Sequence, residues 1–190
     1  MDLREELRNA TRPRHAEVER LFEPVDIGTG AGLRRFLLAH YAAVTPIEQR
    51  LGRIVDGPQA GCWPFRLSAL LDDDLTSLGV RQRPTIMRAD LSDAHPLGLC
   101  YVLGGSRLGA RLLLRRLSET VGSSTFRPRY LTSAPDDAIW AHTRSLLAAA
   151  GDAGGYRQAI GNAAELAFSA FAEALALVED SRETDDALAV

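Results

Sequence analysis

Apolar residues return every three or four positions along nearly the whole of this chain, and that period most limits what it can fold into. Leu3, Leu7, Thr11, His15, Val18 and Phe22 share one helical face. Leu33, Phe36, Leu37, Val44, Ile47, Leu51 and Ile54 repeat the step, as do Leu67, Leu70, Leu71, Leu75 and Leu78. A repeat near 3.6 residues suits an amphipathic helix, whereas strand side chains alternate every second residue. No stretch clearly alternates in that way, so the expected class is all-α. With 190 residues, 46% of them hydrophobic, the chain is long enough for one domain with a sizeable core.

Turn-forming residues divide the pattern. The first helix leads into EPVDIGTG (23–30); a second helical segment spans 31–55, with Pro46 as a kink, and GPQAGCWP (57–64) breaks it. Segment 66–79 stops at Gly79, a residue suited to a helix C-terminus. Residues 81–95 read as loop with a short helix, 96–117 as a long helix interrupted by Gly98, Gly104, Gly105 and Gly109, and 122–137 as loop. Two further helices, 136–150 and 156–179, are separated by GDAGG. The domain then spans 1–180, and the polar tail 181–190 reads as disordered.

Bulk properties exclude several functions. A net charge of -3 offers no general attraction to nucleic acid or anionic membranes. No apolar run approaches the roughly 20 residues of a membrane helix, and the charged N-terminus has no apolar signal segment. Cys62 and Cys100 are the only cysteines, so no disulfide framework is expected and a reducing cytoplasm suits the chain. There is no phosphate-binding loop or dinucleotide fingerprint, and Ser106 and Ser118 lack an evident His/Asp partnership. His40, His95 and His142 show no metal-ligand spacing and read as structural or solvent-facing, while Asp72-Asp73-Asp74 reads as a solvated helix face.

Two stretches resist that plain reading. In LRNATRPRHAEVE (7–19) a histidine, His15, falls where a leucine is expected, with Glu19 one turn on and Arg8 and Arg12 on preceding turns. A packed histidine with satisfied nitrogens is one account. The other is a metal ligand whose second nitrogen is held by the carboxylate, beside guanidinium groups that receive an anion. In YVLGGSRLGAR (101–111) three glycines fall within six residues, each costing roughly 0.5–1 kcal/mol in a helix relative to alanine. Close helix packing, a hinge, or approach of a flat ligand to bare backbone would each explain them. Phe168 and Phe171 read first as core.

Together these stretches resemble the haem oxygenase family, in its bacterial, biliverdin-producing form. LRNATRPRHAEVE is similar to the proximal-helix signature and YVLGGSRLGAR to the glycine-rich distal helix, with LLDDDLTSLG (70–79) similar to a stretch between them. The resemblance covers about residues 2–178. It implies a single-domain helical bundle holding haem between the first helix and a kinked, glycine-rich helix. In that arrangement His15 binds iron and Glu19 orients it. Arg8 and Arg12 meet the propionates, with Arg144 a candidate for the far one and Phe168 packing on the ligand. Gly105, Ser106 and Gly109 line the distal side.

The implied reaction uses haem as both cofactor and substrate. With dioxygen and electrons from a reductase or ferredoxin-type donor, it yields biliverdin, carbon monoxide and ferrous iron; a bilin-using photoreceptor is a further implied partner. Arg111, Arg115 and Arg116 are candidates for docking an acidic donor. The chain departs from the pattern at Gly104, where bacterial relatives commonly carry an acidic residue, and at Ser106, nearest to a distal aspartate of mammalian-type members. Pro13 is expected to kink the first helix or shorten its first piece. The rival readings are a haem-binding carrier or sensor without ring cleavage, and a non-haem di-iron enzyme or thiamin-related hydrolase on the same fold.

Overall fold

A computed structural model describes residues 2–57, 59–87, 89–120, 126–132, 136–150 and 154–188, and every regular element among them is helical. The chain is all-α. Its helices are α1 (Leu3–Phe22), α2 (Gly30–Gly52), α3 (Leu67–Ser77), α4 (Pro96–Thr120), α5 (Arg129–Thr132), α6 (Asp136–Ala149) and α7 (Gly154–Leu188), with a 3-10 turn at Ala89–Asp93.

The ends of these helices show why they begin and stop where they do. The Asp2 carboxylate accepts from the Glu5 amide at 2.7 Å, and the Thr29 hydroxyl accepts from Gly32 at 3.0 Å, each capping a helix N-terminus. Helix α3 has no side-chain cap of its own. Instead Glu48, on α2, accepts from the Leu67 and Ser68 amides at 2.8 and 2.9 Å and from the Trp63 indole at 2.8 Å. That carboxylate therefore joins α2, the 57–64 connector and α3. At the far end of α3, Gly79 takes φ +72°, and Val80 donates to the Leu75 carbonyl at 2.9 Å, closing the helix as its glycine predicts.

Helix α7 is the centre of the bundle: α1, α2 and α4 all pack on it, and α6 packs on α4 and α1. Among the described residues, half of its buried ones are alanines (Ala163, Ala164, Ala167, Ala170 and Ala174), which lets neighbouring helices come close. Two glycines of α4 do the same from the other side. A Cβ at Gly98 would run into the Ile160 carbonyl of α7, and one at Gly104 would overlap the Thr143 side chain of α6. Close packing thus accounts for those two glycines. The main core joins α2 through α7, with Leu37, Ile47, Leu71, Leu75, Leu99 and Leu103 fully enclosed, each worth roughly 2 kcal/mol of burial. A smaller cluster of Leu3, Leu7, Leu97, Leu147 and Ile160 closes one end.

Several sequence expectations are corrected. Helix α1 is not cut short at Pro13: it continues from Leu3 to Phe22, with the proline on its exposed face, where water can replace the amide bond that proline cannot make. Pro96–Arg115 and Tyr156–Ser181 are long and apolar enough to meet a membrane-helix criterion after all, because bundle-centre helices carry few charges; half of each such window is buried in the protein. Asp74 is buried rather than solvated: it accepts from the Arg129 and Tyr130 amides at 2.7 and 2.8 Å and so caps α5. Burial raises its pKa, and those two bonds oppose the rise. Helix α7 continues to Leu188, past the boundary expected at 180. Parts of two expected loops, 121–125 and 133–135 in one and 151–153 in GDAGG, lie outside the described residues, as do 189–190 of the tail and the side chain of Arg116.

Candidate functional site

An α-helix advances 100° per residue, so a stripe read in steps of three and four drifts around it. On α1 the buried face is held by Leu3, Leu7 and Thr11, and continued by the half-buried Arg14, Val18 and Phe22. His15 sits at the edge of this face rather than within it, with 56% of its side chain exposed. Its Nδ1 is 3.4 Å from a Glu19 carboxylate oxygen, and its ring meets the edge of Phe168 at a centroid distance of 5.5 Å. With Nδ1 turned toward Glu19, the Nε2 lone pair is the one left for a ligand. Phe168, part of the main core, therefore lies beside His15.

Arg8 and Arg12 share the exposed face that carries His15 and Glu19, and neither makes an ion pair among the described residues. Arg14 behaves differently. It bonds Glu17 at 2.7 Å and Glu165 of α7 at 3.2 Å, and these bonds hold its guanidinium above the usual arginine range. Arg14 is a clamp between α1 and α7, a role the sequence reading missed because the partner lies 151 residues away. A second clamp joins Arg157 of α7 to Glu6. One guanidinium is committed to the fold; the two before it remain available.

On α4, Gly98, Gly105 and Gly109 fall on nearly one line of the helix. At Gly98 that line is pressed against α7, but two turns later it is open. Among the described residues, a Cβ at Gly105 would meet only the Trp140 ring, at 4.0 Å, and one at Gly109 would meet nothing within 4 Å. Leu108 and Leu112 flank this strip, and Leu112 is 60% exposed. Two exposed leucines beside bare backbone form an apolar surface that the fold itself does not cover.

Helices α1 and α4 both rest on α6 and α7, with little direct packing on each other among the described residues. On α7 the positions meeting α1 (Arg157 and Glu165) and those meeting α4 (Ile160, Ala163 and Ala164) lie on adjacent faces. Phe168 falls on their boundary. The exposed Arg144 lies one turn along α6 from Trp140.

Ser106 does not face the open strip. Its hydroxyl donates to the Leu103 carbonyl at 2.8 Å, and it lies close enough to the Tyr130 phenol to influence its titration, on the enclosed side of α4. That side holds residues the sequence reading did not single out. Arg107 is fully buried, with Nη2 donating to the Tyr130 carbonyl at 2.6 Å and its guanidinium 4.5 Å over the Tyr130 ring. His40 sits among Phe22, Phe36, Tyr130 and Phe171, its Nδ1–H donating to the Phe36 carbonyl at 2.9 Å. Burial, reinforced by the Arg107 charge, pushes its pKa down to about 3, so it is a neutral structural histidine. Burial likewise raises the Tyr130 phenol. An arginine one turn from apolar Leu103 and Ala110, and two turns from Leu99, was the available sequence clue.

The remaining histidines are also structural. His142 Nε2 bonds the Cys62 carbonyl at 2.9 Å, and His95 Nδ1 accepts from the Leu97 amide at 3.3 Å, at the start of α4. Among the described residues no three His, Cys, Asp or Glu side chains converge as a metal-binding group. A separate cavity of about 570 Å³ lies between the end of α2 and the start of α4, bordered by Arg50, Arg53, His95 and Tyr156. No family model matches this chain, and no curated protein matches it.

Proposed function

We propose that this chain is a haem oxygenase, taking haem as both cofactor and substrate and releasing biliverdin, carbon monoxide and ferrous iron. The observation that carries the reading is His15: an exposed imidazole beside Glu19 and Phe168, on a helix that packs on the same two helices, α6 and α7, as the glycine-bearing α4. The residues fit the group. A single imidazole with a carboxylate behind it suits an iron that needs one protein ligand, and two uncommitted guanidiniums suit two propionates.

Each residue has a definite task. Glu19, with a carboxylate oxygen 3.4 Å from Nδ1, would accept from Nδ1–H in the loaded site, fixing the tautomer and making Nε2 a better donor. Arg8 and Arg12 would hold the propionate carboxylates. Gly105 and Gly109 leave no Cβ between the helix and a flat ring, while Leu108 and Leu112 supply apolar cover that keeps bulk water away. Arg144 is placed for a more distant carboxylate. When bound, haem supplies the dioxygen-activating chemistry, and electrons come from a reductase or ferredoxin-type donor. Arg111 and Arg115, both exposed on α4, are candidates for docking that donor.

The test is direct. Hemin is added to the purified protein with a reductant in air, and the visible spectrum is followed. Loss of the Soret band with growth of a biliverdin spectrum is expected, and His15→Ala abolishes it. A stable Soret band under effective reduction identifies a carrier or sensor instead. Absence of any Soret binding sinks both haem readings.

A further inference from the structure

We propose that Cys62 and Cys100 form a peroxide-oxidisable dithiol site, which closes to an internal disulfide and ties the 57–64 connector to α4. These are the chain's only two cysteines, 38 residues apart, yet their sulfurs lie 3.7 Å from each other, with the Cys100 thiol directed at the Cys62 sulfur. Both are free and buried, at 3% and 0% exposure. A disulfide needs its sulfurs at about 2.05 Å, so roughly 1.7 Å of approach is required. The connector can supply that movement because its turns are built on Gly57 and Gly61, both in the left-handed region that glycine adopts without strain. Its backbone is nevertheless held at the cysteine: Cys62 donates to the Gln59 carbonyl at 3.1 Å, and its own carbonyl receives His142 Nε2 at 2.9 Å. The two sulfurs are thus kept in contact before any oxidant arrives.

The pair is chemically asymmetric. The hydrogen bond from Cys100 pulls the Cys62 thiol below its ordinary pKa against the opposing effect of burial, and the Arg50 charge adds to the pull. The same contact, with nearly complete burial, pushes Cys100 strongly up. Cys62 is therefore the attacking sulfur and Cys100 the resolving one. The oxidant is hydrogen peroxide, a small neutral molecule. The Cys62 thiolate attacks one peroxide oxygen and the O–O bond breaks; the departing hydroxide takes a proton and leaves as water, with Cys62 as sulfenic acid. The Cys100 sulfur then attacks the sulfenic sulfur. The S–O bond breaks, and its hydroxyl leaves as a second water with the Cys100 proton. Two thiols lose two electrons and two protons, and one peroxide becomes two waters.

The bond would enclose α3 and the 3-10 turn in one covalent loop and fasten the connector to α4 just beyond Gly98, where that helix lies against α7. It does not depend on haem, so the test uses the protein without it. One equivalent of peroxide is added to the folded chain, which is then denatured, titrated for thiols and weighed. The expected product is a monomer with no titratable thiol and a mass lower by two hydrogens, restored by a dithiol reductant and melting at a higher temperature than the reduced form. Cys100→Ser should halt at Cys62 sulfenic acid, trapped by dimedone. Cys62→Ser should slow oxidation of the remaining thiol by about tenfold. Two thiols surviving peroxide, a disulfide-linked dimer, or dimedone-reactive Cys100 as readily formed as dimedone-reactive Cys62 would each overturn the proposal. If Cys62→Ser does not fold, wild type and Cys100→Ser decide the matter between them.

Discussion

The two sides of α4 are built from neighbouring residues and behave in opposite ways. On the enclosed side, Arg107 is bonded to the Tyr130 carbonyl and stacked on its ring, and His40 completes an aromatic cluster behind them. On the open side, Gly105 and Gly109 carry nothing, and the leucines beside them face outward. A buried guanidinium is costly unless its bonds are satisfied in one geometry, so the enclosed side permits few rotations of the helix. That restriction is what aims the bare strip. The enclosed side fixes the helix, and the open side adds few contacts of its own.

The same contrast divides the glycines. Substituting Gly104 with valine places methyl groups inside the Thr143 side chain, and a loss of about 3 kcal/mol is expected in chemical denaturation. A stable Gly104→Val protein would mean that the α4–α6 contact yields easily, and the contrast with the open strip would collapse. Next in size is Asp74→Ala, which leaves the buried Tyr130 amide without its acceptor and uncaps α5. About 2 kcal/mol should be lost, and the Arg107–Tyr130 contact should loosen with it.

A pH titration sharpens the enclosed side further. His40 is neutral in the folded chain down to about pH 3, against an ordinary value near 6.5. The unfolded chain therefore binds a proton first as pH falls. The stability associated with neutral His40 is complete above pH 6.5 and declines by about 1.4 kcal/mol per pH unit below it, until the folded pKa is reached. Urea midpoints of wild type and His40→Leu, measured between pH 7 and 4, should diverge with that slope. Parallel curves would show that the imidazole titrates freely.

The smallest stability effect belongs to the open side. Gly109→Leu should keep its melting temperature, since nothing lies within 4 Å and leucine is the better helix former. Its change in folding free energy should stay within about 0.5 kcal/mol. Hemin affinity should nevertheless fall at least about tenfold, because the added side chain occupies the strip. Calorimetry and hemin titration on one sample separate the two effects. A folded Gly109→Leu protein with unchanged affinity and turnover would remove the strip from the site.

Helical class, the order of the long helices and the Gly79 terminus were legible because each follows from local repetition or backbone preference. Leu67, Leu71 and Leu75 bury themselves wherever their helix is placed, and glycine tolerates positive φ in any context. The pairing of His15 with Glu19 was legible for the same reason, since residues four apart on a helix always meet. Other features depend on residues that only folding brings together. Gly104 and Gly109 are identical in sequence, and Thr143 alone makes one a packing contact while the other stays open. Asp74 is one of three consecutive aspartates, and the amides of Arg129 and Tyr130 decide that it is the buried one. Arg14 and Arg12 differ in availability because Glu165 reaches only the first. Cys62 and Cys100 became neighbours through the placement of a loop on a helix. Local sequence determines what a segment prefers; partners distant in the chain determine which of its groups are satisfied and which are left to act.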